Sequence, residues 1–233
     1  MAFGKLYTYA GNSRSTAIRA VAKANSVDLQ EVEVDTTKPT EEFLKANPPP
    51  QVASQNEKTT LLGKTKQDYA SILRWMSFFN SEVLPKFGGW FRPLVGKDPY
   101  NKKSVEESEK AAIRAISVVE THLRDNTYLV GERITLADIF AVGIISRGFE
   151  YFFGKEWRQQ YPNVSRWYST VYNQPIYSAV APEFSLLDTP KLTNVAPKKP
   201  EQPKKEAPKP APLLLSPRLP PRSPPRPPSP STP

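Results

Sequence analysis

The sequence predicts a mainly helical protein: a short α/β opening, an all-helical domain and a proline-rich tail. Three observations carry that prediction. First, Tyr-Leu-Val-Gly-Glu-Arg-Ile-Thr-Leu-Ala-Asp at 128–138 leads into a run that carries no charge from Ile139 to Ser146. Thr135 and Asp138 stand at the spacing of a capping box, in which each side chain satisfies the other residue's free backbone N–H. A helix that is apolar on nearly all sides, as this one is, lies buried at the centre of a domain. Second, apolar residues recur at three-four spacing in the segments on either side. Third, the composition changes at Pro190: residues 190–233 hold nine Lys or Arg, two Glu and 16 of the 26 prolines.

Taken in order, Phe3 to Tyr9 is predicted as a strand, rich in aromatic and β-branched types. Ser15 to Asn25 is predicted as a helix with Ile18, Val21 and Ala22 on its inner side. Leu29 to Asp35 alternates apolar and polar residues, the mark of a strand covered on one face. Pro39 to Ala46 is predicted as a short helix. Strand, helix, strand is the start of a thioredoxin-like half-domain, where parallel strands need a covering helix. The pattern breaks at Asn47-Pro48-Pro49-Pro50-Gln51, because proline donates no ladder hydrogen bond.

The helical domain is predicted from Thr65. Tyr69, Ile72, Leu73, Met76, Phe79 and Val83 define a wide apolar face, with Trp75 and Phe78 off that stripe. Phe87 to Pro93 is predicted as an aromatic loop. Ser104 and Glu107 have capping-box spacing at the start of the next helix, whose inner side is Ala112, Ile116, Val119 and Leu123. After the central helix, Val164, Trp167, Tyr168 and Val171 mark a last amphipathic helix that stops before Pro175. From Pro190 too few apolar residues remain to offset chain entropy, so the tail is predicted to be disordered. The predicted regions are therefore 1–57, 65–187 and 190–233.

Composition excludes several chemistries. The 233-residue chain has no cysteine, which removes disulfides, thiolate metal sites and a cysteine nucleophile. A single histidine, His122, cannot build a histidine metal cluster, and its place near a helix end suits a surface cation. The net charge of +9 belongs mostly to the tail, since the rest carries 23 basic against 21 acidic residues. No stacking aromatics accompany the basic tail, so nucleic-acid binding is not expected. No signal peptide opens the chain and no apolar run is long enough to span a bilayer, which leads to the expectation of a cytoplasmic protein with no membrane partner.

The 128–138 phrase resembles the second domain of the glutathione-transferase superfamily, where such a box starts a buried helix. The match extends over roughly residues 1–187. It is similar in particular to the transferase-like region in the gamma-subunit family of eukaryotic translation elongation factor 1. The Lys-Pro runs at Pro197 to Pro200 and Pro203 to Lys205 resemble the hinge of that family. The resemblance implies a thioredoxin-like half followed by the helical transferase domain. It also implies that two strands and most of a helix are absent, since Val52-Ala53-Ser54-Gln55 arrives about thirty residues early.

Two functions follow from the resemblance. The first is a non-catalytic scaffold of the elongation-factor complex, docking its nucleotide-exchange subunit, with homodimerisation as a further expectation. Trp75, Phe78, Trp90 and Phe91 are the exposed-aromatic candidates for such a surface, joined by Tyr69, Ile72 and Met76. The alternative is a glutathione S-transferase conjugating glutathione to electrophiles, which needs a donor after the first strand to polarise the thiolate. Asn12 falls at the serine-equivalent place, with Tyr7, Ser13 and Arg14 as nearby substitutes. The family's cis-proline segment and acidic-serine pair, which clamp glutathione, are not located in this sequence. The expectation is accordingly a scaffold with no cofactor, able to take glutathione only if the missing segment were restored.

Overall fold

In the computed structural model the described residues are 4–9, 12–35, 59–183 and 185–197. They all belong to one compact unit spanning residues 1–197. The expected helix at Pro39–Ala46, the break at Asn47–Gln51 and the Val52–Gln55 segment lie outside them, as does the tail from Lys198.

Strand β1 (Gly4–Thr8) leads through a turn into helix α1 (Ser13–Ala24), which returns the chain to strand β2 (Leu29–Glu33). β1 and β2 pair in parallel with Gly4 opposite Leu29 and Tyr7 opposite Val32. The inner side of α1 is Ala17, Ala20 and Val21, all buried. Small residues at this i, i+3, i+4 spacing let the helix lie close against its neighbour. Ile18, expected on that side, is 36% exposed, because it stands about 100° round the helix from Ala17.

The remaining described elements are helical. They are α2 (Lys66–Phe78), a π-helical turn (Phe79–Val83), α3 (Leu84–Leu94), α4 (Lys102–Arg124), α5 (Leu136–Tyr151), α6 (Lys155–Gln160), α7 (Pro162–Tyr172) and α8 (Pro175–Ser178). The aromatic loop expected at Phe87–Pro93 is the helix α3. Packing overrides its poor propensity: a Cβ at Gly89 would lie 2.7 Å from Ser108 Oγ on α4, so the glycine permits a close helix contact. The start of α4 also differs from expectation. Its cap is Asn101, whose Oδ1 accepts from Ser104 N at 3.0 Å, and asparagine caps as well as serine does.

α5 occupies the centre. Ala137, Asp138, Ile139, Ala141, Val142, Ile144, Ile145 and Phe149 are all at most 1% exposed. The Asp138 carboxylate accepts from Thr135 N and Thr135 Oγ1 at 2.8 Å each, closing the capping box. It reaches further, accepting from Leu129 N at 2.9 Å and from the Trp167 indole N–H on α7 at 2.8 Å. Burial pushes the Asp138 carboxyl above its ordinary range, against the pull of these four donors.

The inner face of α2 is Ile72 and Trp75, continued by Phe79 and Val83. The face expected from the sequence was rotated from this one, since Tyr69 and Leu73 are 46% and 48% exposed. The chain beyond α8 stays pinned through Asn194, past the boundary expected at Pro190. Lys155 N donates to Asp188 O, and Lys191 N and Leu192 N both donate to Tyr151 O. Arg158 Nη1 donates to the Leu187 carbonyl. Backbone bonding to α5 and α6 supplies the order that composition alone did not suggest.

Candidate functional site

The junction between β1 and α1 is where the sequence points to chemistry. Asn12 caps α1, its Oδ1 accepting from Arg14 N at 3.2 Å, and its backbone N donates to Tyr9 O at 3.1 Å. Beneath the turn, the hydroxyls of Thr8 and Ser15 meet at 2.5 Å. Both are buried, at 5% and 1% exposure, so each hydroxyl answers the other and ties the start of α1 to the end of β1.

A cleft of about 570 Å³ opens along α1. Asn12, Thr16 and Arg19 supply one wall, spaced to fall on one side of the helix. Ser146, Arg147, Glu150 and Tyr151 of α5 face it, with Phe91 and Lys97 from the end of α3 and the turn after it. Tyr168 and Tyr172 of α7 and Tyr177 of α8, with Val180, Pro182, Glu183, Ser185 and Lys191 beyond them, complete the lining.

Charge in the cleft is predominantly positive. Arg19 is committed to Glu31 through two bonds of 2.7 Å. That pairing raises the Arg19 pKa and lowers that of Glu31. Arg147 holds its guanidinium 4.9 Å from the centroid of the Phe91 ring, a cation–π contact that fixes its plane. Phe91 in turn lies 5.0 Å from Tyr151. Burial pushes the phenols of Tyr151, Tyr168, Tyr172 and Tyr177 upward. They are neutral at physiological pH and can donate hydrogen bonds but not serve as bases.

Of the four residues expected at a thiolate site, Asn12 lines the cleft. Tyr7 lies half-buried in β1 opposite Val32. Ser13 is the first residue of α1, and its side chain is outside the described set. Arg14 turns to solvent and donates to Asn80 Oδ1 in the π-helical turn at 2.8 Å. Thr16 and Arg19 could have been found from Asn12 by helical spacing. Phe91, Arg147 and Lys191 lie 70 or more positions along the chain from this wall, and no local pattern marks them.

The aromatics expected on a partner surface sit mainly inside the core. Trp75, Trp90 and Phe91 are 7%, 5% and 7% exposed. Trp90 stacks on Phe152 at 3.9 Å and donates from Nε1 to Asn194 Oδ1 at 2.8 Å. Trp75 packs on His122 at 4.7 Å, and that histidine bonds through Nε2 with the Leu129 carbonyl at 3.0 Å rather than standing free at the surface. Ile72 is fully buried, Met76 and Phe78 are half-buried, and Tyr69 is the exposed member of the set. These rings carry too much apolar area to leave in water while neighbouring helices offer faces to cover them.

A helical domain built round a capped, buried α5, preceded by a β–α–β unit, defines the transferase class of fold. The model of the glutathione S-transferase C-terminal domain matches residues 75–175. Glutathione S-transferase psoE of Aspergillus fumigatus is 47% identical over 86% of this chain and 93% of its own length. Elongation factor 1-gamma-A of Xenopus laevis is 32% identical over 90% of this chain, which spans 53% of that protein. Among solved structures, the GST-like domain of elongation factor 1-gamma from Saccharomyces cerevisiae superposes with a TM-score of 0.69. It is 32% identical, over 85% of this chain and all of that one. The chain belongs to the glutathione S-transferase family.

These relations overturn the expectation of a non-catalytic elongation-factor scaffold. The chain is substantially more similar to a named transferase, matched over nearly its whole length, than to the elongation-factor subunits, which it covers only in part. The resemblance to the gamma-subunit family holds at the level of fold and kinship. The same fold serves both groups, so the fold alone could not separate them.

Proposed function

We propose that this chain is a glutathione S-transferase that binds glutathione at the start of α1 and joins its sulfur to an electrophile held in the adjoining cleft. The observation that carries this reading is the 47% identity to a named glutathione S-transferase across 93% of that protein. The geometry at α1 supports it. The backbone N–H groups of the first helical turn give that end a partial positive charge, which favours a thiolate over a thiol. Asn12 caps the turn with its amide oxygen and lines the cleft, so its Nδ2 is the side-chain donor for the thiolate. The thiol proton passes to solvent. The thiolate lone pair then forms the new S–C bond, and the displaced group leaves with its electron pair.

The test is turnover of glutathione with 1-chloro-2,4-dinitrobenzene by the purified chain. Asn12→Ala removes one hydrogen bond to a charged atom, worth about 1.5–3 kcal/mol, so kcat/KM should fall about tenfold to a hundredfold. The pH–rate profile should move upward with it, because the thiol loses a donor that favours ionisation. A wild-type chain that neither binds glutathione in calorimetry nor releases chloride overturns the proposal.

A further inference from the structure

We propose that Arg158 and Asn194 are positioning residues for the second substrate, fastening from outside the cleft a segment that forms part of its wall. The inference rests on the transferase reading and deepens it by naming what limits the size of the acceptor. Ser185 and Lys191 line the cleft, yet residues 185–197 form neither helix nor strand. No ladder or helical bonds hold this wall from within, so its place depends on bonds to the helices beside it. Neither Arg158 nor Asn194 is among the residues that line the cleft.

The upstream fastener is Arg158 on α6. Its Nη1 donates to the Phe153 carbonyl at 2.9 Å and to the Leu187 carbonyl. Phe153 lies just past the end of α5, where carbonyls lack partners within the helix and a cation is favoured. Leu187 is thereby tied two residues from Ser185. The next residue, Asp188, accepts at its carbonyl from Lys155 N at 2.9 Å. Further on, Lys191 N and Leu192 N donate to Tyr151 O at 2.9 and 3.1 Å, and Tyr151 itself lines the cleft.

The downstream fastener is Asn194, whose bonds reach three places. Its Oδ1 accepts from the Trp90 indole N–H on α3 at 2.8 Å, and its Nδ2 donates to Glu109 Oε2 on α4 at 2.6 Å. Its carbonyl accepts from the Tyr100 hydroxyl at 2.8 Å. The bond to Glu109 is charge-assisted, which is the stronger kind. The three backbone bonds between the two fasteners survive the loss of either side chain, so the wall loosens rather than unfolds. A loosened wall gives way to a larger acceptor. The thiolate is assigned to Asn12 at the start of α1, which neither substitution alters.

The experiment uses the full chain and two acceptors of one chemistry and different size, 1-chloro-2,4-dinitrobenzene and 1-chloro-2,4-dinitronaphthalene. In both, the glutathione sulfur forms the C–S bond and chloride leaves with its electron pair. Each rate is divided by its own uncatalysed rate, and wild type should favour the benzene. Losing one hydrogen bond raises the population of loosened wall about twofold to tenfold. Arg158→Gln and Asn194→Ala should each raise the naphthalene-to-benzene ratio of kcat/KM by that factor. The change should fall on the KM for the acceptor and leave the KM for glutathione unchanged. Arg158→Lys, which keeps a cationic donor, should recover most of the wild-type ratio. Thr193→Ala, at the exposed neighbour of Asn194, should leave the ratio as it is. Trypsin cleavage after Lys191, followed by mass spectrometry, reads the wall directly and should quicken in both variants. Faster cleavage and tighter binding of chlorine-free 1,3-dinitronaphthalene by the variants, with no turnover by wild type, support this inference while the transferase reading fails. A ratio unchanged in both variants of an active chain overturns it, as does unchanged cleavage after Lys191 or an effect confined to the KM for glutathione.

Discussion

Two helices of this protein begin with the same chemistry in opposite surroundings. α2 starts at a Thr65–Asp68 box and α5 at a Thr135–Asp138 box. At α2 the carboxylate accepts from Lys64 N at 2.9 Å and Thr65 N at 3.1 Å, and Thr65 Oγ1 accepts from Asp68 N at 3.0 Å. These bonds face solvent, and the Lys64 and Thr65 amides hold the Asp68 carboxyl below its usual range. At α5 the carboxylate is fully buried and takes two donors from outside the box, one of them on another helix. The motif sets local geometry in both places. Burial decides how much stability depends on it and which way acid moves it.

The largest effect expected from that difference is at Asp138. Each of its oxygens accepts two bonds, Oδ1 from Leu129 and Trp167 and Oδ2 from Thr135. Asp138→Asn keeps the shape but turns one acceptor into a donor facing two others. Stranding buried donors should cost about 3–5 kcal/mol in urea unfolding. A loss under about 1 kcal/mol would show that the Trp167 bond adds nothing to an ordinary helix cap.

A smaller effect is expected ten residues along the same helix. A Cβ at Gly148 would stand 2.3 Å from Phe153 Cε2 and 2.9 Å from Phe87 Cε1, and Phe153 is itself stacked on Trp157 at 3.6 Å. Gly148→Ala should therefore cost about 1–3 kcal/mol by overpacking, although alanine is the better helix former. A stabilised variant would mean that the aromatic cluster yields easily, and that the burial around α5 is softer than its hydrogen bonding implies.

The two boxes also show how far the sequence could be read. Thr135 to Asp138 was legible because a cap acts over four residues and the apolar run after it has one interpretation. β1, α1 and β2 were legible for the same local reason. The Trp167–Asp138 bond was not, since 29 positions separate the partners. The direction of α2 was misread because Tyr69 and Trp75 are both aromatic, and periodicity cannot say which of two overlapping stripes meets a neighbour. The cleft was half legible. Asn12 was placed by the resemblance, at the serine-equivalent position, but its opposite wall is assembled by α5 and the segment after α8. Function was misread for a different reason, because the fold is shared by transferases and elongation-factor subunits alike.

The smallest effect separates the boxes by sign. The folded pKa of Asp68 lies below its unfolded value. Its contribution is therefore complete above an unfolded pKa of about 3.9 and is lost as acid titrates the carboxylate through the lower folded value. Asp138 has a folded pKa raised by burial. Between about pH 3.9 and that higher value the native chain keeps a proton that the unfolded chain releases, so the stability owed to this group falls as pH climbs through the window. The stability gap between wild type and Asp68→Asn should therefore narrow on acidification. The gap between wild type and Asp138→Asn should widen as pH is lowered towards about 4, where the native carboxyl is protonated at no cost. Urea titrations of the three proteins at a series of pH values read both gaps directly. Gaps that move in parallel would mean that the four donors around Asp138 outweigh its burial, and that the two boxes differ in partners but not in electrostatics.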